Sequence, residues 1–304
     1  MTKNEFYSTV TKKVEEILGD VTTEISEITK VNLSLDGLTI RKKGENIAPT
    51  IYLNQYFTQF HDGREVDDIV NDIIRVYENN RPDLLNETFN MSDFYEFDKL
   101  KEKIVLKVIN TERNKELLSE VPHLDMEGLN LSVVFYVSLM MGEMSAGILI
   151  RNSHMKLWNV TEKELLSIAE KNTNRMHAYT IRSMNEVMKE MFFEQGTENF
   201  AEVLFPSDAP VMYVLTDQNN TFGASQMYLK TEIRKFAKMQ DCDVYILPSS
   251  VHELLLLRVD FPNLEPEYLK GMVCEVNSTE VSDEDFLCDG VFKYLLKEDK
   301  IVAL

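Results

Sequence analysis

Residues 243–257 read Asp243-Val-Tyr-Ile-Leu-Pro-Ser-Ser-Val-His-Glu-Leu-Leu-Leu-Leu257. Two apolar runs flank a short turn of proline and serines, a pattern typical of two antiparallel strands. Amphipathic helical patterns lie on both sides, at residues 228–237 and 268–276. Strand runs mixed with helices, without regular alternation of the two, indicate the α+β class. We therefore predict mixed, mainly antiparallel sheets packed against amphipathic helices.

The N-terminal part of the chain has its own helical and strand patterns. Apolar residues recur at helical spacing from Phe6 to Leu18 and again from Val66 to Tyr77. Between them, three short runs within residues 21–53 favour a hairpin or a three-stranded sheet. We expect a boundary near residue 100, with an N-terminal α+β region at 1–100 and a C-terminal α+β region at 101–304.

The C-terminal region contains two segments with similar patterns. In the first, the apolar runs Leu131–Tyr136 and Ala146–Ile150 precede Thr161-Glu-Lys-Glu164, a capping box that predicts the start of a helix. Segments 131–176 and 211–257 share a strand–turn–strand–helix order, which suggests an internal duplication. Between them, a methionine-rich helix at 183–191 is expected to be buried.

Composition sets the compartment and excludes some partners. The chain of 304 residues has a formal net charge of −19, and acidic residues outnumber basic ones between Asp260 and Lys300. Such a chain repels nucleic-acid phosphate, so no direct nucleic-acid binding is expected. No apolar run reaches the roughly 18–20 residues that cross a bilayer. With three scattered cysteines, a disulfide framework is not expected, and we predict a cytoplasmic protein without membrane contact.

The Ser/His/Glu cluster after Pro248 is the candidate for catalysis. A serine hydrolase needs its serine, a histidine base and an orienting carboxylate within hydrogen-bond reach. On a strand Ser250 and His252 share a face, whereas Glu253 points to the other face and cannot orient His252. The alternative is a turn whose hydroxyls cap backbone groups, with His252 as a polar edge residue.

Metal and cofactor sites are not indicated by the sequence. The five histidines are scattered, and none stands at a spacing typical of zinc ligands. His61-Asp62 beside Asp67-Asp68 is the nearest to a hard-cation cluster, but acidic runs at helix starts explain these carboxylates. Phosphate-binding glycine loops are missing. We expect no metal and no cofactor.

Candidates for binding lie in three places. Tyr52 and Asn54 either line a pocket or join a hairpin to a helix. Glu253 follows the Pro248 turn. In Ser282-Asp-Glu-Asp285 the serine is expected to cap an acidic turn formed by Asp283, Glu284 and Asp285.

Several stretches together resemble an uncharacterised bacterial family. They are Leu38-Thr-Ile-Arg-Lys-Lys-Gly-Glu-Asn-Ile-Ala-Pro-Thr-Ile-Tyr-Leu-Asn54, Leu157-Trp-Asn-Val-Thr-Glu-Lys-Glu-Leu165, Tyr245-Ile-Leu-Pro-Ser-Ser-Val-His-Glu253 and Met272-Val-Cys-Glu-Val-Asn-Ser-Thr-Glu-Val281. In this order they are similar to domain-of-unknown-function family 5688. The resemblance implies a cytoplasmic protein of anaerobic Gram-positive bacteria or their mobile elements, and it implies no activity.

Three functional hypotheses follow. The first is a non-catalytic protein-binding or accessory protein. Its partner is another protein, and a basic protein is one alternative. The second is an acidic inhibitor, such as a DNA mimic or anti-defence protein of a phage or mobile element. The third is a hydrolase that uses Ser250 and His252. The oligomeric state is left open.

Overall fold

The computed structural model describes residues 1–44, 48–80, 91–141, 144–194, 211–248, 250–261 and 264–304. Within these ranges the chain is α+β, as predicted, and all of the strand pairings are antiparallel. It divides into two compact units, Met1–Glu96 and Phe97–Leu304. Ser249 and parts of two predicted loops, residues 45–47 and 81–90, lie outside the described residues.

Unit 1 packs helices against a three-stranded sheet in the order β1-β2-β3. Its buried core joins both helical stripes predicted from the sequence to the middle strand, through residues such as Phe6, Leu38 and Ile69. The elements are α1 (Lys3–Leu18), β1 (Val21–Thr29), β2 (Ser34–Lys42), β3 (Thr50–Tyr52), α2 (Asn54–His61) and α3 (Val66–Asn79).

Unit 2 contains a four-stranded and a six-stranded sheet. Its strands are β4 (Ile104–Asn110), β5 (His123–Met126), β6 (Leu131–Met141), β7 (Met144–Leu149), β8 (Tyr179–Ser183), β9 (Tyr213–Asp217), β10 (Val244–Leu247), β11 (Leu254–Arg258), β12 (Phe292–Leu295) and β13 (Lys300–Ala303). Its helices are α4 (Phe97–Leu100), α5 (Lys115–Glu120), α6 (Asn152–Trp158), α7 (Glu162–Met176), α8 (Met184–Glu194), α9 (Gln226–Leu229), α10 (Thr231–Gln240) and α11 (Pro266–Thr279).

Strand β4 forms one edge of the four-stranded sheet, and helix α7 covers this edge. The Leu106 amide donates to Thr173 Oγ1 at 2.9 Å, and Asn172 Nδ2 donates to the Ile104 carbonyl at 2.9 Å. Both polar side chains are buried. They take the place of a neighbouring strand, so the edge is not left open for pairing with another chain.

The six-stranded sheet, in the order β13-β12-β10-β11-β9-β8, is apolar on both faces. On one face Tyr213, which pairs with Leu256, contacts Phe236 of α10 with ring centroids 4.8 Å apart. On the opposite face Leu257 packs with Leu269 of α11. The leucine run at the end of the quoted stretch is therefore buried on both sides, as the side-chain period of two requires.

The turn that follows β9 differs from the expected return strand. Gly223–Ser225 is a single 3₁₀ turn, and α9 and α10 follow it. In the other segment β6 is followed directly by β7 and then by helices. The order of elements in the two segments thus differs, and their origin by duplication stays a prediction.

None of the helices in the described ranges combines the length and the apolarity needed to cross a membrane.

The turn at Gly223 approaches the main chain after Pro248 so closely that a side chain is excluded. A Cβ atom there would lie 2.5 Å from the His252 oxygen, 2.7 Å from the Leu215 oxygen and 2.8 Å from Glu253 Cα. These are backbone atoms that cannot rotate away. We expect Gly223→Ala to lower the free energy of unfolding by about 2–3 kcal/mol, measured from the midpoint of urea unfolding.

Gly271, in α11, is the matched control because a Cβ atom there has no neighbour within 4 Å. Gly271→Ala should raise stability by about 0.5–1 kcal/mol, the usual difference between the two residues in a helix. Equal unfolding midpoints for the two variants would contradict the close approach.

Candidate functional site

The segment after Pro248 is bonded mainly through its backbone. Ser250 is buried and forms an isolated β-bridge with Phe286. Its hydroxyl accepts a hydrogen bond from the His252 amide at 3.1 Å. The carbonyl of His252 in turn accepts hydrogen bonds from the Gly223 amide at 2.8 Å and from Thr216 Oγ1 at 2.9 Å. The contact between Ser250 and His252 therefore runs to the main chain of His252.

The imidazole of His252 binds the acidic turn instead. Its Nε2 lies 2.9 Å from Asp285 Oδ1, and Ser282 Oγ donates to Asp285 Oδ2 at 2.8 Å. The Asp285 amide donates to Ser282 Oγ at 3.2 Å, which confirms the predicted serine cap. This contact brings together His252 and Asp285, which lie 33 positions apart in the sequence. Catalysis by Ser250 and His252 stays a prediction.

Several acidic residues near the C-terminus are bonded to partners within the unit. Asp283 pairs with Arg113, whose guanidinium lies 3.6 Å from the centre of the Phe286 ring. Glu284 also has interactions within the chain. The Asp299 carboxylate accepts two hydrogen bonds from Arg234, at 2.8 and 2.7 Å. These bonds hold the pKa of Asp299 well below its usual range.

In unit 1, Asn54 joins helix α2 to strand β2. Its Oδ1 accepts a hydrogen bond from the Asp36 amide at 2.8 Å, and its Nδ2 donates to Asp36 Oδ2 at 3.3 Å. The Tyr52 ring lies beneath the ammonium of Lys30, 4.1 Å from Nζ to the ring centre. Of the two alternatives for this pair, the contacts of Asn54 match the junction of hairpin and helix.

In unit 1, two of the residues that come nearest to a hard-cation cluster in the sequence contact other side chains. Asp67 binds Lys13 at 2.6 Å, and the His61 ring packs edge-on against Phe57 with centroids 4.6 Å apart. Within the described ranges, no group of three or more His, Cys, Asp or Glu residues is placed to hold a metal ion.

A buried His–Asp pair in unit 2 was not foreseen from the sequence. His177 Nδ1 lies 2.6 Å from Asp217 Oδ2, and the imidazole stacks on Phe222 with centroids 4.1 Å apart. Asp217 Oδ1 accepts hydrogen bonds from the Asn219 and Thr221 amides, which closes the turn after β9. Burial by itself would raise the pKa of Asp217, but the hydrogen bonds from His177 and Thr221 outweigh it and the pKa is lowered.

Lys107, in the middle of β4, also contacts the Phe222 ring. Its Nζ is 4.6 Å from the centre of the Phe222 ring and 4.8 Å from that of Tyr136. Burial lowers its pKa, although Asp285 and Glu284 act in the opposite direction. Phe222 thus links the lysine and the His177–Asp217 pair through its ring.

A groove lies on one face of the six-stranded sheet, between α8 and α11. It encloses about 350 Å³, within the range of ligand pockets, roughly 300–1,000 Å³. We call it the methionine groove. Its lining residues are Met184, Val187, Met188, Met212, Val214, Leu247, Glu253, Leu255, Met272, Val273, Val276 and Asn277.

The expectation that the methionine-rich helix is buried was wrong. Met184, Val187 and Met188 of α8 are only partly buried, and Val276 of α11 is 39% exposed. The two helices cover the sheet without closing over it, so apolar side chains remain accessible. Methionine is unbranched and polarizable, so such a lining adapts to the shape of what it contacts.

Two polar side chains line the otherwise apolar groove. Glu253, a candidate from the sequence, enters it from the start of β11, and Asn277 enters it from the last turn of α11. Sequence reasoning missed Asn277 because one asparagine in an amphipathic helix carries no motif. The missed signal for the groove was the set of methionines shared by α8, α11 and residue 212.

A family model described as "Family of unknown function (DUF5688)" matches residues 3–295. Neither a curated protein nor a solved structure matches the chain.

Asp217 offers a pH-dependent test of the buried pair. Its carboxylate stabilises the folded chain above the pKa of the unfolded state, about 3.9, and that contribution is lost as the pH falls through the lower folded pKa. We expect Asp217→Asn to cost about 2–3 kcal/mol at pH 7 and progressively less below about pH 4, from urea unfolding at a series of pH values.

Asp283→Asn is the control because this residue is mostly exposed and pairs only at the surface. Its cost should stay below about 1 kcal/mol. A cost for Asp217→Asn that is unchanged from pH 7 to pH 3 would show that the ionised carboxylate is not the source of the stability.

Proposed function

The chain belongs to the DUF5688 family, a family of unknown function, and we propose that it is a non-catalytic protein-binding protein whose binding site is the methionine groove. The observation that carries this proposal is the partly exposed apolar lining, formed by two helices and one sheet face. An accessible apolar surface with a polar rim is typical of interaction sites.

The bonding of the polar side chains after Pro248 supports a binding role over a catalytic one. The Ser250 hydroxyl accepts a main-chain hydrogen bond, and the His252 imidazole binds Asp285. Both side chains thus stabilise the junction that positions Glu253 at the groove. They support the shape of the site, while the groove itself provides the contact surface.

We also propose a cytoplasmic location. Cys242, Cys274 and Cys288 are unpaired, and Cys274 is exposed. Free exposed thiols are compatible with a reducing compartment. A cytoplasmic protein partner then meets the groove without an intervening membrane.

The test compares two methionines, one in the groove and one outside it. Met188→Glu places a carboxylate in the groove, and docking must then remove that charge from water, which is costly without a partner charge. Met239→Glu is the control, since Met239 is 72% exposed on α10. Each variant and the parent protein are immobilised and exposed to lysate, and a retained protein is purified and its affinity measured.

We expect one partner to bind the parent protein and Met239→Glu equally, and Met188→Glu at least about tenfold more weakly, equivalent to about 1.4 kcal/mol. Affinity that is unchanged by Met188→Glu would exclude the groove as the binding site. Turnover of a substrate by the parent protein that requires Ser250 would instead favour the hydrolase.

A further inference from the structure

The two polar side chains in the methionine groove are the groups that select its occupant. Glu253 is partly exposed, and its carboxylate forms no hydrogen bond or ion pair with the rest of the described chain. By contrast, other carboxylates of this unit, such as Asp260, Asp283 and Asp299, are paired with arginines. An unpaired carboxylate within an apolar lining is a site for a cation.

Asn277 adds a second acceptor. Its Nδ2 donates to the Cys288 carbonyl at 3.0 Å and to Asp289 Oδ1 at 2.9 Å, so both amide hydrogens are used. Because both partners only accept, the orientation of the amide is fixed by its bonds. The remaining atom, Oδ1, is buried and has no partner among the described residues. A buried acceptor without a donor costs about 1–3 kcal/mol, which a bound N–H group would recover.

The charge around the groove favours a basic occupant. The Asp289 carboxylate is next to Asn277 and accepts the hydrogen bond from its Nδ2. Arg182 is on the same sheet face, opposite Val214, but its guanidinium is already paired with Glu190 of α8 at 2.5 Å. The chain as a whole has a net charge of −19. The groups without partners at the groove, the Glu253 carboxylate and the buried Asn277 oxygen, are therefore acceptors alone.

The position of the groove favours a helix over an extended strand. It lies on a face of the sheet, whereas β8 and β13 form the two edges. A strand bound on the face finds no backbone partners, so its amides and carbonyls would lose water without replacement. A helix satisfies its own backbone and presents an apolar stripe, the mode by which amphipathic helices enter hydrophobic grooves.

We propose, on the basis of the binding function above, that the methionine groove receives an amphipathic helix of a partner protein that carries a lysine or arginine beside its apolar stripe. The apolar residues contact the methionines of α8 and α11. The basic side chain donates to the Glu253 carboxylate and to Asn277 Oδ1.

A library of phage-displayed amphipathic helices, with the positions around the apolar stripe randomised, tests both levels of the proposal. Selection against the parent protein should enrich an apolar stripe together with Lys or Arg at a fixed position beside it. Selection against Glu253→Gln should keep the apolar stripe and lose the basic residue. Selection against Met188→Glu should lose both, and Met239→Glu should match the parent protein.

The strongest selected peptide, labelled with fluorescein, is then compared with its Lys→Gln or Arg→Gln version by anisotropy. The substitution should weaken binding to the parent protein about tenfold and leave binding to Glu253→Gln unchanged. The four affinities form a double-mutant cycle that isolates the pair.

The outcomes separate the two levels. An enriched apolar stripe without a basic residue, or with an acidic one, overturns the inference and leaves the groove as a binding site. A basic residue that persists against Glu253→Gln also overturns it. No enrichment by the parent protein, together with loss of the groove effect in the capture experiment, overturns the binding function itself.

Discussion

The carbonyl oxygen of His252 is the point on which the arrangement of unit 2 depends. It accepts hydrogen bonds from the Gly223 amide and the Thr216 hydroxyl, and so joins the end of β9 to the bend that leads into β11. The imidazole of the same residue binds the acidic turn through Asp285. Because Glu253 follows immediately, these bonds also fix where its carboxylate enters the groove. A buried junction of this kind tolerates little change, because a buried donor that loses its acceptor costs about 1–3 kcal/mol.

The two faces of the six-stranded sheet differ in how completely they are covered. Ile233, Phe236 and Ala237 of α10 are all buried, so this helix contacts its face closely. On the opposite face α11 buries Leu269 and Val273, but α8 leaves its methionines partly exposed. Both faces carry alternate residues of the same leucine run, so the strands alone do not decide which face stays open. The difference comes from the helices, and it creates the groove.

Local sequence signals predicted much of this fold, and contacts between distant residues explain the rest. The Thr161–Glu164 capping box and the hairpin of β10 and β11 are confirmed because each depends on neighbours in sequence. Strands β5, β8, β12 and β13 were missed, since each is a short run of few apolar residues that also contains a charged one. The His177–Asp217 pair joins residues 40 positions apart. The buried Thr173 hydroxyl accepts a hydrogen bond from the Leu106 amide, 67 positions away, at the edge of β4. At the candidate site, Glu253 was named from its turn, whereas Asn277 and the groove required the packing of α8 against the sheet.

Under the proposed function, the contrast between paired and unpaired carboxylates accounts for how a strongly acidic chain discriminates among basic partners. A net charge of −19 attracts any cation at long range and speeds encounter, but this attraction is screened beyond about 8–10 Å at physiological salt. A carboxylate whose two oxygens already accept hydrogen bonds from an arginine, as in the Arg234–Asp299 pair, binds a further cation weakly. Glu253 differs because it combines an unpaired charge with an apolar surrounding, where water competes less for the same hydrogen bonds. Under the proposed function, overall charge governs how fast basic proteins approach, while specificity depends on placing one cation beside an apolar stripe that fits the methionines.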